Sequence, residues 1–304
     1  MAILIDENTR VIVQGITGRE AVTFTRGMLD YGTKVVAGVT PGKEGQDVFG
    51  IPVYDCVRTA LKYHEANTSI VSVPPAFAKD ATFEAIDAGI KLVNVFTERI
   101  PRADVIQMVA FAETRGSRII GPNSLGMISP GRVKLGPIGG PIDECTKAFI
   151  PGNVAILSRS GGMLVETASQ LSLNGIGQSI AINVGGDPII GSTFYELLLI
   201  LERDAETKVI VLFCEPGTVQ EEMTARFVRE TSYQKPIVAF IAGRFVDTLP
   251  GMRFGHAAVI VHGETGSTKS KARIMNEAGI RVVEHHSQIT IEVKKALEEV
   301  SSED

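Results

Sequence analysis

The feature that most constrains the fold of this chain is a regular alternation of short β-branched runs with helical stretches. Strands that alternate with helices predict parallel sheets covered on both faces. The chain is therefore predicted to be a doubly wound α/β protein. The predicted strands are RVIVQG, KVVAGV, TSIVSVP, KLVNVF and RIIGP in the first half, and NVAILS, GQSIAINV, KVIVLFCE, KPIVAFIAG and IRVVE in the second.

One stretch, 124–152, interrupts this alternation. It is rich in glycine and proline and shows no sustained period, which indicates an irregular segment. With 304 residues the chain is long enough for two ordinary domains. We therefore predict a first domain over 1–130, a linker over 131–152 and a second domain over 153–304.

Charge and composition narrow the class of protein. Thirty-five acidic against 30 basic residues argue against nucleic acid as the main partner, because phosphate binding favours a basic surface. The longest apolar runs, such as VIVLFC at 209–214, are far shorter than the ~18 residues that a membrane span needs. No targeting pattern is found in MAILIDENTR, and Cys56, Cys145 and Cys214 follow no ligand or disulfide spacing. We expect a cytoplasmic protein that does not bind a membrane.

A glycine turn follows the first predicted strand, in VIVQGITGREAVTF (11–24). Strand, glycine turn and helix in this order aim backbone N–H groups at a phosphate. Gly15 and Gly18 form G-x-x-G rather than a dinucleotide motif, and Lys43 follows the second strand where dinucleotide sites place an acid on the ribose. This cation favours a ligand with an extra phosphate on or near its ribose, such as NADP or coenzyme A. The alternative is a tight turn without a ligand.

Two turns of small residues follow strands in the second half, in VAILSRSGGMLVETASQL (154–171) and INVGGDPIIGSTF (182–194). Hydroxyl and N–H groups at a helix start bind anions, helped by the positive end of the helix. A plain N-capped helix is the alternative for the first turn, but it explains one serine and not two consecutive glycines. The candidate anion-binding residues are Ser158, Ser160, Gly161, Gly162 and Gly186.

His256 lies in a glycine-rich loop between Gly255 and Ala257, which leave its ring sterically bare. A metal site would need further ligands at suitable spacing, and His262 alone does not provide them. A buried packing histidine is a second alternative. A nucleophilic histidine needs a carboxylate on its second nitrogen and a site for the anion that it carries. Glu215, at the end of a very apolar strand, meets the first need and the turn at 158–162 meets the second.

These motifs resemble, in colinear order over nearly the whole chain, the α subunits of the succinyl-CoA synthetase family and related NDP-forming acyl-CoA synthetases. The resemblance implies a Rossmann-like coenzyme A-binding domain followed by a flavodoxin-like ligase domain. The matching segments are ILIDENTRVIVQGITGRE, YGTKVVAGVTPGKEGQDVFGIPVYD, DAGIKLVNVFTERIP, IIGPNSLGMISPG, LSRSGG, VGGDPIIGSTF and FGHAAVIV.

The resemblance also implies roles for individual residues. His256 takes the position of a phosphohistidine and Glu215 that of the glutamate that orients it. ATP or GTP, held with Mg²⁺ on a separate ATP-grasp β subunit in an αβ or α2β2 assembly, phosphorylates such a histidine, which passes the phosphoryl group to a carboxylic acid. The turn at 158–162 is expected to stabilise this group without a fixed cation. The implied coenzyme A residues are Thr17, Gly18, Arg19, Glu20, Lys43, Pro74, Phe96, Thr97, Glu98 and Asn123.

Departures from the family concern mainly the acid substrate. Val165 stands where succinyl-CoA synthetases usually have a tyrosine near the organic acid, and SRSGGM, GSTF and Phe254 resemble ATP-citrate lyase and citryl-CoA synthetase. The motif GGDPI and the length of the chain are instead similar to those of succinyl-CoA synthetases. The sequence thus slightly favours citrate over succinate. Alternatives are a non-catalytic coenzyme A-binding regulatory module and an NADP-dependent dehydrogenase, whose third turn glycine is not found.

Overall fold

The computed structural model describes three stretches of the chain, 4–248, 255–260 and 266–303. Phe254 and His262, which the motifs singled out, lie outside these stretches. Within them, no helix is long and apolar enough to cross a bilayer.

The chain divides into two compact units. The first runs to Thr146 and also includes the short segment Ile189–Ser192, and the second holds the remainder from Lys147. The predicted limits of the two domains stay a prediction.

The first unit is built on a mostly parallel sheet. Its strands are β1 (Arg10–Gln14), β2 (Lys34–Val39), β3 (Asp47–Val48), β4 (Ile51–Tyr54), β5 (Thr68–Val71), β6 (Leu92–Val95) and β7 (Arg118–Ile120). Its helices are α1 (Arg19–Asp30), α2 (Val57–Ala60), α3 (Pro75–Asp87) and α4 (Arg102–Arg115). The strand order is β3-β4-β2-β1-β5-β6-β7, with β3 antiparallel to β4. Without that edge strand, this is the Rossmann order.

The stretch expected to be irregular contains regular elements. An antiparallel hairpin is formed by β8 (Met127–Ser129) and β9 (Val133–Leu135), and α5 (Ile142–Ala148) follows it. The hydroxyl of Thr33 donates to the carbonyl of Lys134 at 2.7 Å, which ties the hairpin to the first unit. Strands of three residues are too short to show a hydrophobic period, so the sequence of this segment carried no strand signal.

The second unit contains a parallel sheet with the order β14-β13-β12-β10-β11. Numbered from its own first strand this is 5-4-3-1-2, the flavodoxin order. The predicted fold class is confirmed in both units. The strands are β10 (Pro151–Ser158), β11 (Gln178–Asn183), β12 (Val209–Cys214), β13 (Ile237–Ile241) and β14 (Arg281–Val283). The helices are α6 (Gly161–Leu173), α7 (Phe194–Leu201), α8 (Gln220–Thr231), α9 (Thr268–Glu277) and α10 (Ile289–Glu303).

Local sequence signals explain where several helices begin. Ser160 caps α6 by accepting a hydrogen bond from the Met163 amide, and Ser267 caps α9 in the same way. Thr193 and Glu196 form a capping box at α7, in which the Thr193 amide donates to the Glu196 carboxylate at 2.8 Å.

The order of the strands decides where ligands can bind. In an open α/β sheet the binding crevice lies beyond the carboxyl ends of the strands, where the strand order reverses. In the first unit this point lies between β1 and β5, and in the second between β10 and β12. Gly18 and Pro74 follow the strands at the first point, and Ser160 and Glu215 follow those at the second. Several other candidate residues follow other strands of the same two sheets.

Candidate active site

The turn after β1 is held by the ends of two neighbouring strands. Gly15 has a φ of +80°, and a Cβ atom there would overlap the carbonyl oxygen of Ser72, which follows β5. Its amide donates to the carbonyl of Val39 on β2 at 2.7 Å. Only glycine combines the left-handed backbone with so close an approach. The turn therefore has one fixed conformation.

Helix α1 begins at this turn without a side-chain cap. Its N-cap residue is Gly18, whose amide donates to the Gly15 carbonyl at 2.9 Å. The hydrogen bonds within the helix begin with the Val22 amide, which donates to the Gly18 carbonyl. The preceding amides, those of Arg19 and Glu20 among them, have no acceptor inside the helix. Uncapped donors at a helix start suit a phosphate group.

Two cavities of about 670 Å³ each share Gly18, Ser72 and Val73 in their walls. Nine of the ten residues predicted to bind coenzyme A line one or both of them. The folded chain therefore brings residues that are as far apart in sequence as Thr17 and Asn123 into one region. The nine are Thr17, Gly18, Arg19, Glu20, Pro74, Phe96, Thr97, Glu98 and Asn123.

The tenth predicted residue, Lys43, does not line either cavity. It lies on the exposed loop between β2 and β3, where its amide donates to the carboxylate of Asp55 at 3.1 Å. Thr40 and Pro41, just before it, do line the first cavity.

Phe77, in the first turn of α3, lines the first cavity and is 61% exposed, and no sequence motif pointed to it. Ligand pockets are lined mainly by apolar and aromatic side chains. Together with Val39 and Pro74, Phe77 provides apolar surface, and the α1 amides provide phosphate donors. These residues fit a nucleotide-like ligand such as coenzyme A.

In the second unit, the structure places His256 against Glu215. The ring nitrogen Nδ1 lies 2.8 Å from one carboxylate oxygen of Glu215 and 3.0 Å from the other. Glu215 directly follows β12, and its side chain is only 10% exposed, while the His256 side chain is 30% exposed. An Nδ1–H that donates to the carboxylate fixes the tautomer and leaves the lone pair on Nε2. The pair has the arrangement of an oriented nucleophile.

Gly186 makes this position of the imidazole possible. A Cβ atom on Gly186 would lie 2.5 Å from Cγ of His256 and 2.7 Å from its Nδ1. Gly217 plays a similar part for the loop, because its φ is +82° and a Cβ atom there would overlap the carbonyl of Ala258. Gly186 thus forms a wall against the ring, which the sequence analysis did not foresee.

The two serines of the turn after β10 are engaged in the turn itself. Ser158 is buried, and its hydroxyl donates to the carbonyl of Ser160 at 2.6 Å. The Ser160 hydroxyl accepts from the Met163 amide at 3.4 Å, and the Leu164 amide donates to the Ser160 carbonyl. The amides of Gly161 and Gly162 remain as the first free donors of α6; they are the group of this turn best suited to an anion.

Between the two serines lies Arg159, which is fully buried and which the sequence analysis quoted without giving it a role. One guanidinium nitrogen donates to the Thr218 hydroxyl at 3.0 Å and the other to the Asp187 carbonyl at 3.5 Å. Its Nε–H has no acceptor among the described residues. A buried donor without a partner costs about 1–3 kcal/mol. The expected anion site without a fixed cation stays a prediction, and Arg159 is a buried cation whose charge lowers the pKa of His256.

A buried ionic network supports the turn that carries Glu215. The carboxylate of Glu221 accepts from the Glu215 amide at 3.4 Å and from Lys271 at 2.6 Å. Lys271 also contacts Glu222 at 2.7 Å and donates to the Thr218 carbonyl at 3.2 Å. Burial by itself raises the pKa of Glu221, but Lys271 and then Arg159 outweigh it and hold that pKa below its usual value.

Opposing charges set the protonation of His256. The hydrogen bond to Glu215 raises the pKa of the imidazole, and its burial lowers it. The charges of Glu215 and Asp187 raise it further, whereas that of Arg159 lowers it. The net direction is upward. No group of three or more side chains suited to a metal ion occurs within the described stretches.

The fold and this geometry agree with comparisons to known proteins. A CoA-binding domain model matches residues 6–99 and a CoA-ligase model matches 157–281. An ADP-forming succinate–CoA ligase α subunit from Archaeoglobus fulgidus is 46% identical over 98% of this chain and 99% of its own length. The chain belongs to the succinate–CoA ligase α-subunit family. The resemblance drawn from the motifs is confirmed.

Two other relatives show the range of this family. A subunit of an ADP-forming sulfoacetate–CoA ligase from Bilophila wadsworthia is 42% identical over 98% of this chain and all of its own length. An ATP citrate lyase from Methanothrix soehngenii, solved with citrate and coenzyme A, superposes with a TM-score of 0.92 at 26% identity. That match covers 99% of this chain but 52% of the lyase, so the chain spans about half of the lyase's length.

Family membership decides between the classes of function that the sequence left open. The chain is an acid–thiol ligase with a coenzyme A-binding domain, as predicted. The NADP-dependent dehydrogenase and the non-catalytic module are set aside.

Proposed function

We propose that this chain is the α subunit of an ADP-forming succinate–CoA ligase in which His256 carries the phosphoryl group. The observation that carries the proposal is the contact of Nδ1 of His256 with both carboxylate oxygens of Glu215, at 2.8 and 3.0 Å. A ring held in this way presents Nε2 as the nucleophile.

His256 acts twice in the proposed reaction. First, Nε2 attacks the γ-phosphorus of the nucleotide, the bond from that phosphorus to the bridging oxygen breaks, and ADP leaves. Then the N–P bond of phosphohistidine breaks as the phosphoryl group passes to a carboxylate oxygen of the acid, and the imidazole is restored. Phosphoryl transfer depends mainly on positioning and charge stabilisation. Glu215 supplies the positioning of the ring, and the Gly161 and Gly162 amides supply the charge stabilisation.

The other components of the proposed reaction, which are coenzyme A, the nucleotide and the partner subunit, are inferred from the family. When bound, coenzyme A supplies the thiol that displaces inorganic phosphate from the acyl phosphate. The residues that would hold it are those that line the two cavities of the first unit. We propose that a separate ATP-grasp-type β subunit holds ATP, in keeping with the ADP-forming relatives, together with Mg²⁺ in an αβ or α2β2 assembly. The three cysteines of this chain are unpaired, which suits a reducing compartment. We propose that the protein lies in the cytoplasm.

We propose that the carboxylic acid substrate is succinate rather than citrate. The α subunits at 46% and 47% identity are named for succinate and match over 93–98% of this chain, whereas the ATP citrate lyase shares 26%. The preference for citrate rested on Val165 and a few short motifs, and the whole-chain relatives give it no support. Val165 lies in the second turn of α6.

A labelling experiment tests the proposal. The chain is mixed with its cognate β subunit and γ-³²P-labelled ATP. We expect acid-labile, base-stable label on the wild type and none on His256→Ala. His285→Ala, which removes an exposed histidine outside the site, serves as the matched control and should be labelled like the wild type. Label that persists in His256→Ala contradicts the phosphohistidine.

A panel of succinate, citrate, malate and sulfoacetate then tests the acid. With coenzyme A present, each acid is scored by its rate of removing the label from the protein. Succinate is expected to be the fastest. A faster rate with citrate overturns the choice of acid but leaves the role of His256 intact.

A further inference from the structure

Arg159 is the largest fully buried side chain of the described residues, and the reaction outlined above assigns it no role. It directly follows β10 and precedes the cap of α6. Its amide donates to the Phe213 carbonyl on β12 at 3.2 Å. Its own carbonyl accepts from the Asn183 side chain on β11 at 3.1 Å. The backbone of Arg159 is thereby fixed to both neighbouring strands.

The guanidinium group connects the loops that surround His256. One arm reaches the Thr218 hydroxyl in the turn after β12, three residues beyond Glu215. The other arm reaches the carbonyl of Asp187, the residue after Gly186, in the loop after β11. Glu215 binds the imidazole, and Gly186 packs against it. The two walls of the His256 site are thus held by one planar side chain.

The charge of Arg159 also differs from that of the other groups acting on His256. Glu215 and Asp187 are acids and favour the protonated imidazole, whereas Arg159 opposes them. Lys271, the other fully buried cation among the described residues of this unit, is paired with Glu221 and Glu222. Only a neutral imidazole can attack phosphorus, so the balance of these charges sets the fraction of reactive His256.

We propose that Arg159 is a positioning residue for the phosphohistidine reaction. Through its two hydrogen bonds it holds the Glu215 turn and the Gly186 loop at the distance that orients His256. Through its charge it keeps enough of the imidazole neutral for attack. This inference rests on the proposed role of His256.

Two variants separate the two contributions. Arg159→Met removes both the charge and the hydrogen bonds, and Arg159→Lys keeps the charge but loses the planar pair of donors. The matched control is Lys134→Met, which removes a buried cation in the other unit. Each full-length chain is titrated by following the His256 ring proton by NMR, assigned with His256→Ala. The rate of labelling by γ-³²P-ATP with the β subunit is measured for each variant as a function of pH.

We expect the titration midpoint of His256 to rise by about one pH unit in Arg159→Met, because the variant removes a nearby positive charge that disfavours the protonated imidazole. In Arg159→Lys the midpoint should stay near that of the wild type, while the labelling rate falls at least ~10-fold through lost positioning. Lys134→Met should leave the midpoint unchanged.

Each outcome decides a specific point. An unshifted midpoint in Arg159→Met overturns the electrostatic part, and wild-type labelling of Arg159→Lys overturns the positioning part, even if Arg159→Met does not fold. If the wild type itself takes no label, the proposed function fails, while the NMR titration still tests the charge of Arg159 on its own.

Discussion

The two units each contain a strand, a turn of small residues and a helix, but the two turns are built for different tasks. In the first unit the turn from Gly15 to Gly18 leads into an uncapped helix beside open cavities. In the second unit the turn from Ser158 to Gly162 leads into a helix capped by Ser160 and contains a fully buried arginine.

This difference follows from what each turn must hold. A ligand that enters from solvent brings its own phosphates, and free backbone amides suffice to bind them. In the proposed reaction a group is transferred to and from His256, and this needs a fixed charge environment because the reactivity of an imidazole depends on its protonation. Buried charges provide it in the second unit, where Arg159 and the pair of Lys271 and Glu221 lie beneath the site.

The largest effect is expected when the ionic support of the second turn is broken. Lys271→Met leaves the buried Glu221 without its cation, which should cost about 3–5 kcal/mol in the free energy of unfolding. The pKa of Glu221 is lowered in the wild type, so its contribution is present above the unfolded pKa and is lost as pH falls through the folded one. In the variant we expect the opposite trend, with stability recovering toward acid pH.

Chemical denaturation at several pH values measures this change. The matched control is the double variant Lys271→Met with Glu221→Met, which removes both charges and should recover most of the lost stability. If the double variant is no more stable than Lys271→Met, the pairing of these charges is not what supports the turn.

Gly186→Ala probes the wall of the His256 site. Its Cβ atom would lie 2.5 Å from Cγ of the imidazole, so the ring must move away from Glu215. A displacement of about 1 Å costs on the order of 100-fold in rate. We expect this loss in ³²P labelling, with coenzyme A affinity unchanged in a calorimetric titration. Gly27→Ala, whose Cβ atom would make only ordinary contacts, with Lys134 at 3.5 Å and the Gly140 carbonyl at 3.8 Å, should label normally.

Gly15→Ala tests the corresponding turn of the first unit. Alanine must adopt a φ near +80° and overlaps the Ser72 carbonyl, so the turn and the start of α1 must shift. We expect coenzyme A to bind at least ~10-fold more weakly, equivalent to about 1.4 kcal/mol, while His256 is still labelled by ATP. Loss of both functions together would show that the two turns do not have separate tasks.

The smallest expected effect comes from Glu215→Gln. Glutamine still accepts a hydrogen bond from Nδ1–H but carries no charge, so the raised pKa of His256 should fall. The neutral nucleophile then forms at lower pH, and the labelling profile should move by about one pH unit toward acid. A raised histidine pKa stabilises the fold below the unfolded pKa, and this contribution disappears as pH rises. The stability difference between wild type and variant should therefore be confined to acid pH.

Part of this organisation could be read from the sequence. The alternation of strands and helices predicted the α/β class of both units, and this is confirmed by the strand orders. The motif that contains His256 and the apolar strand that ends at Glu215 singled out both residues, although they are 41 positions apart. The hairpin of β8 and β9 was not foreseen, because its strands are only three residues long.

The sequence by itself determined the fold class, most of the elements, the family and the candidate reactive residues, because hydrophobic period, glycine turns and colinear motifs are local properties. Only the tertiary structure decided what surrounds the reactive group. Arg159 meets Thr218 across 59 positions, and Lys271 meets Glu221 across 50. Gly186 is a glycine because His256 packs where its Cβ atom would be. Burial and charge act between residues that are neighbours in space, so the environment that tunes the histidine exists only in the folded chain.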